Sequence, residues 1–257
     1  MNASDANISG LNPVDPKRPD LHILYMDNHL LVVNKPPGML VQQDETNDPD
    51  LLRLGKRYLK ETFAKKGQAF LGLVHRLDRP ASGVVVLART SKAAARLSDQ
   101  FRQRTPEKEY LALVEGVCRG SGTLRHTLAA SVRGGVRIVP AGDASGKEAR
   151  LQWRSLGVQD DLSLLSVRLE TGRKHQIRVQ FSAEGHPILG DFRYGALREL
   201  DGRNLALHAF RLTVAHPVTR ERMTFCTPPP PAWGTLFARE IAQALASSDA
   251  SAHPAGP

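Results

Sequence analysis

The sequence predicts an α+β fold, a central mixed or antiparallel β-sheet flanked by a few inserted helices. Three observations carry this: apolar runs of strand length dominate, strong turn signals stop them, and only three segments show clear helical spacing. Leu30-Leu31-Val32-Val33 is a short apolar run closed by Lys35-Pro36-Pro37-Gly38. Gly83-Val84-Val85-Val86-Leu87 is apolar throughout, as expected of a strand covered on both faces. Val167 and Leu169 alternate with Ser166, Arg168 and Glu170, and Phe210, Leu212 and Val214 with Arg211, Thr213 and Ala215. A period of two predicts half-buried strands there.

Asp48-Pro49 supplies an N-cap and an N1 proline for a first helix through Leu52, Leu59 and Phe63, ended by Lys65-Lys66-Gly67. Ser91 caps a second, whose Ala94, Leu97 and Phe101 share one face. The third begins near Lys174 and ends at Gly185, with Ile177 and Phe181 facing inward. Residues 1–19 are polar and broken by Pro13, Pro16 and Pro19, and residues from Ser247 on are mostly Ala, Ser, Pro and Gly. Both read as disordered tails, so one folded domain over residues 20–237 is expected, with a helix end and tail over 238–257.

No apolar run approaches the ~20 residues that a membrane span needs, and Met1 to Gly10 has no secretory character, which predicts a cytoplasmic protein. The two cysteines, Cys118 and Cys226, carry no partner motif. His75, His175, His186, His208 and His216 are scattered without metal-ligand spacing, and no phosphate-binding glycine loop occurs. No metal or cofactor is expected. The net charge of +9 favours a polyanionic partner, because neutralising phosphates releases counterions.

Chemistry concentrates in two segments. In His75-Arg76-Leu77-Asp78-Arg79-Pro80-Ala81-Ser82-Gly83, polar residues sit at the mouth of a buried strand. There Asp78 lies between two arginines that would keep it ionised, or else it is a turn aspartate bonding nearby N–H groups. In Thr171-Gly172-Arg173-Lys174-His175-Gln176-Ile177-Arg178, Lys174 and Arg178 fall on one face of the expected helix. Arg173 and Lys174 at its positive end point to an anion, or to a solvated basic face. Tyr110 opens another strand, as a packing residue or as a platform for a nucleobase.

Together these segments resemble the RluA-type pseudouridine synthases. The matching pieces run in order from LLVVNKPPGM (residues 30–39) through HRLDRPASGVVVLART (75–90), EYLALVEG (109–116) and GKEA (146–149). They end with TGRKHQIRVQFSAEGHPILGD (171–191) and LHAFRLTVAHP (207–217). The resemblance implies the fold of that family, with an RNA-binding cleft, and a catalytic domain over residues 20–237. It implies Asp78 as the catalytic aspartate, Tyr110 as the tyrosine stacked on the target base, and Arg178 as the arginine paired with the aspartate. It implies Arg76 as the arginine that enters the space left by the flipped nucleotide. Arg173, Lys174, His175 and Arg193 would complete the RNA-binding surface.

The first motif begins near Leu21, so no N-terminal S4-type domain is expected. Gln42-Gln43-Asp44-Glu45 departs from the Pro- or His-containing continuation of the family, which leaves the RNA open between ribosomal and transfer RNA. A monomer is the simplest expectation. The rival readings are an RNA-binding domain without activity and a hydrolase built on Asp78 with His75 or His175.

Overall fold

The computed structural model describes residues 21–249 except 47, 65, 133 and 203, so the expected N-terminal tail lies outside the described residues. Its elements run β1 (His22–Met26), β2 (Leu30–Lys35), α1 (Leu51–Thr62), β3 (Gly72–Leu73), β4 (Ser82–Ala88) and α2 (Ser91–Gln103). They continue with β5 (Glu107–Glu115), β6 (Ser121–Ala130), β7 (Val136–Val139), β8 (Lys147–Gln159) and β9 (Leu162–Leu169). Last come α3 (Gln176–Ala183), β10 (Leu207–Ala215), β11 (Arg222–Cys226) and α4 (Ala238–Asp249).

All eleven described strands join one sheet, in the order β1-β2-β4-β10-β5-β9-β8-β6-β7, with β3 added to β4 and β11 to β10. The β4–β10 pairing is parallel and every other one antiparallel, so the sheet is mixed. That parallel seam is two residue pairs long, His208↔Ser82 and Ala209↔Gly83. Gly83 has φ +117°, and a Cβ there would lie 2.3 Å from the Ala209 carbonyl oxygen. Only glycine permits so close an approach. Asp78 sits just before this seam, where the two halves of the sheet meet.

The continuous apolar runs are explained by double coverage. One face of β2 and β4 (Leu31, Val33, Val85, Leu87) packs with Leu51 and Leu59 of α1. The other (Leu30, Val32, Val84, Val86) packs with Ala93 and Leu97 of α2. Over β5, β8 and β9, Ile177 and Phe181 of α3 join a core that also takes Phe237 and the apolar side of α4.

Several expected boundaries move. α1 is capped by Asp50, not Asp48: its side chain accepts from the Arg53 N–H at 3.0 Å. An isolated bridge to Leu40 holds Asp50 extended, which postpones the helix past Pro49. Thr90, not Ser91, caps α2, accepting from the Ala93 N–H at 3.1 Å. α3 begins at Gln176, because His175 is left-handed at φ 53° and breaks the helical path. Lys174 therefore lies outside the helix and shares no helical face with Arg178.

β9 is buried on both faces from Leu162 to Val167, and its expected alternation survives only toward Arg168. α4 is the cause: a Cβ on Gly157, which pairs with Leu164, would touch Phe237 and Glu240. In β10, Thr213 is buried as well, bonded to Thr224 of β11 at 2.9 Å. α4 also runs through Ser247 to Asp249, into the segment expected as tail.

Candidate active site

The segment between β3 and β4 is anchored from below. His75 points into the scaffold, where its Nε2 accepts the Val86 N–H at 3.0 Å and its ring stacks on Phe101 at 4.7 Å. Burial, with Lys108 adding, pushes its pKa down to about 3, so it is a neutral acceptor. It is therefore no partner for a hydrolytic reaction at Asp78. Leu77 is buried in the core beside it.

Lys35, at the end of β2, is fully buried and donates to the carbonyls of Pro36 (2.9 Å), Met39 (2.9 Å) and Arg79 (3.1 Å). Three carbonyls match the three hydrogens of an ammonium. The Arg79 carbonyl also accepts from the Gly38 N–H at 2.9 Å, so the Asp78 segment is tied to the Pro36–Met39 turn. Burial pulls the Lys35 pKa down to about 7, with Asp78 opposing and Arg79 adding to the fall.

The cation that meets Asp78 is not one of its chain neighbours. Arg76 and Arg79 form no ion pair with it; Arg76 is exposed, and Arg79 turns away to the Gly38 carbonyl (3.0 Å) and Asp48. The partner is Arg178 of α3, 100 residues on, whose Nη1 lies 3.1 Å from Asp78 Oδ2. Arg178 is itself clamped by Asp191, through Nε at 2.7 Å and Nη2 at 2.8 Å. This two-point grip fixes the plane of the guanidinium and aims its remaining edge at Asp78. Arg178 and Asp191 are almost fully buried, whereas the Asp78 side chain keeps 24 % of its exposure.

His175 approaches the same oxygen, its Nε2 3.9 Å from Asp78 Oδ2, while its Nδ1 lies 2.8 Å from the Tyr194 hydroxyl. Both contacts fall on Oδ2, and Oδ1 takes no hydrogen bond from the described residues. A carboxylate held by one oxygen with the other available can attack a carbon or accept a proton.

Tyr110, near the start of β5, is half-buried and packs against the cores of both halves of the sheet. Burial, then the charge of Asp78, hold its phenol above the ordinary range, so its hydroxyl stays neutral. Of the expected RNA-binding residues, Arg76, Lys174 and Arg193 are exposed. Arg173 is partly tied down, its Nε donating to the Glu148 carbonyl at 3.0 Å, and His175 is turned inward.

Three participants escaped the sequence reasoning: Lys35, Asp191 and Tyr194. Lys35 stands inside a turn signal, and only its place at the end of an apolar strand hinted at burial. Asp191 closes the GHPILGD segment without a charge of opposite sign at helical spacing. Tyr194 carried no signal.

A family model described as RNA pseudouridylate synthase matches residues 29–183. The chain is 35% identical over 233 residues to the ribosomal large subunit pseudouridine synthase D of Zymomonas mobilis, covering 87% of this chain and 74% of that one. It is 33% identical over 224 residues to the tRNA pseudouridine synthase C of Pasteurella multocida, covering 80% and 90%. Its fold is similar to that of human RNA pseudouridylate synthase domain containing 1, with a TM-score of 0.68, 27% identity, and 91% and 97% of the two chains covered. The match spans both the Asp78 segment and the helix that carries Arg178, so the chain belongs to the RNA pseudouridylate synthase family and is, as the RluA-type motifs imply, an RNA pseudouridine synthase.

Proposed function

We propose that Asp78 isomerises a uridine of ribosomal or transfer RNA, with Arg178 holding its carboxylate and Tyr110 receiving the base. The isomerisation breaks the N1–C1′ bond and forms a C5–C1′ bond; C5 loses a proton and N1 gains one, with no net electron transfer. Asp78 serves it either by attacking C1′ or by removing the C2′ proton. The observation that carries this reading is the clamp: Arg178, gripped at two points by Asp191, binds Asp78 Oδ2 and leaves Oδ1 for the sugar. The ring of Tyr110 offsets the cost of taking the uridine out of its stack.

Exposed Lys174 and Arg193 would carry the phosphate backbone, with Arg173 at their margin, and exposed Arg76 would enter the space left by the flipped nucleotide. The names of the two relatives support ribosomal and transfer RNA equally. No described helix is long and apolar enough to cross a membrane. We take the RNA to be cytoplasmic, and a single copy of the chain supplies every group in this reading. The test is tritium release from RNA labelled at uridine C5, with wild type and Asp78→Asn. Release by the wild type alone supports the assignment; release by Asp78→Asn within tenfold of wild type excludes Asp78.

A further inference from the structure

Tyr194 lies in a short 3-10 turn (Phe192–Tyr194) after Asp191. Its hydroxyl oxygen accepts the Val136 N–H at 3.0 Å, from the first residue of β7. The same oxygen lies 2.8 Å from His175 Nδ1. Its ring lies under the Arg178 guanidinium, 5.1 Å from centroid to carbon. Its backbone is fixed as well, because the Tyr194 N–H donates to the Asp191 carbonyl (2.9 Å) and its carbonyl accepts from Ser182 of α3 (2.6 Å).

These contacts have a direction. A backbone N–H only donates, so the Tyr194 oxygen accepts from Val136 and its single hydrogen is free for His175 Nδ1. A neutral imidazole that accepts at Nδ1 carries its hydrogen on Nε2. Nε2 is the atom that faces Asp78 Oδ2 at 3.9 Å, with the side chain 10 % exposed. We propose that Tyr194 and His175 are positioning residues: Val136 N–H, Tyr194 hydroxyl and His175 form a relay that fixes the imidazole tautomer and presents an Nε2–H to Asp78.

The charged groups around the ring agree. Asp78 alone favours a protonated imidazole, whereas burial first, then Arg178, Lys174 and Arg193, hold it below the usual imidazole range, so His175 stays neutral near pH 7. Its backbone is left-handed at φ 53°, a conformation uncommon for residues with a Cβ but adopted more readily by Asn, Asp and His than by most. The neutral donor shares the Oδ2 side of Asp78 with Arg178 and leaves Oδ1 without a hydrogen bond from the described residues.

This inference rests on Asp78 being the reacting carboxylate, and its test has a readout independent of turnover. Nitrogen-15 NMR of the ring of His175 in the full chain should show the hydrogen on Nε2. Tyr194→Phe keeps the ring under Arg178 and removes only the hydroxyl. It should mix the tautomers and lower kcat by about two- to ten-fold, the worth of one neutral hydrogen bond, with RNA affinity unchanged. His175→Gln places an amide N–H near the Nε2 position, whereas His175→Asn ends near Nδ1 but tolerates the left-handed backbone better. The Asn variant should be the more stable and the Gln variant the more active. A purely structural role would rank activity with stability, Asn above Gln. That order, or wild-type His175 with its hydrogen on Nδ1, overturns the relay, whereas normal turnover by Asp78→Asn would overturn the reading of Asp78 instead.

Discussion

Lys35 and Arg178 are both buried cations whose charges act on Asp78, but opposite means hold them. Beneath the segment, Lys35 rests on three neutral carbonyls and has no carboxylate in contact. Beside it, Arg178 is held by two carboxylates. A cation held by neutral dipoles keeps a large desolvation cost, and its proton becomes labile; a cation held by two anions is locked in its charge. The first arrangement suits tying a backbone segment in place. The second suits presenting a fixed charge to a reacting group, because the guanidinium plane is set by Asp191 before any substrate arrives.

The largest expected effect is on Asp78 itself. Asp78→Asn should lower turnover by more than about a hundred-fold, a typical worth of a positioned acid–base or nucleophilic group, while fold and RNA affinity persist. The persistence follows from the Arg178–Asp191 grip, which does not need Asp78. A parallel loss of melting temperature and turnover would mean that Asp78 is a strut of the fold.

Replacing each cation by methionine compares the two regions directly. Arg178→Met leaves Asp191 buried without its cation, and such a loss costs about 3–5 kcal/mol. Lys35→Met strands carbonyls but no charge and should cost about 1–3 kcal/mol, with a partial loss of turnover because the Asp78 segment loosens. Urea unfolding of both variants measures the difference. Equal costs would erase the distinction drawn between them.

Dependence on pH sharpens it further. The Lys35 pKa falls on folding from 10.5 to about 7, so between those values the unfolded chain binds more protons. The contribution is complete above pH 10.5 and is lost as pH falls toward 7. The stability of wild type minus that of Lys35→Met should therefore rise with pH over this window, whereas the difference for Arg178→Met should stay flat. A flat difference for both would show that Lys35 keeps its proton and that its three carbonyls hold it as firmly as carboxylates do.

The smallest effect belongs to a cation that is neither buried nor paired. Lys174 is exposed, and Lys174→Ala should weaken target and non-target RNA alike. It should flatten the slope of log K against log salt by about 0.7, one phosphate on a single strand. Arg178→Ala should reduce turnover more than it changes that slope. If it instead keeps turnover and loses a full phosphate of slope, Arg178 belongs to the RNA surface.

How far these sites were legible depends on where their partners lie in the chain. Apolar run lengths determined the buried strands β2 and β4, and the spacing of Ile177 and Phe181 determined the inward face of α3, because these patterns are local to one element. The composition carried the excess of positive charge, and ordered motifs located Asp78, Tyr110 and Arg178. The family motifs paired Arg178 with Asp78, and the tertiary structure supplied the contact that local spacing did not show. Sequence proximity favoured Arg76 and Arg79, but Arg178 lies 100 residues away and reaches Asp78 only because β4 and β10 meet at Gly83. It also decided that His175 faces inward, that Lys174 falls outside α3, and that β9 is covered twice. Each depends on what packs against the residue from elsewhere in the chain, and burial by a distant element leaves no periodicity in the segment it covers.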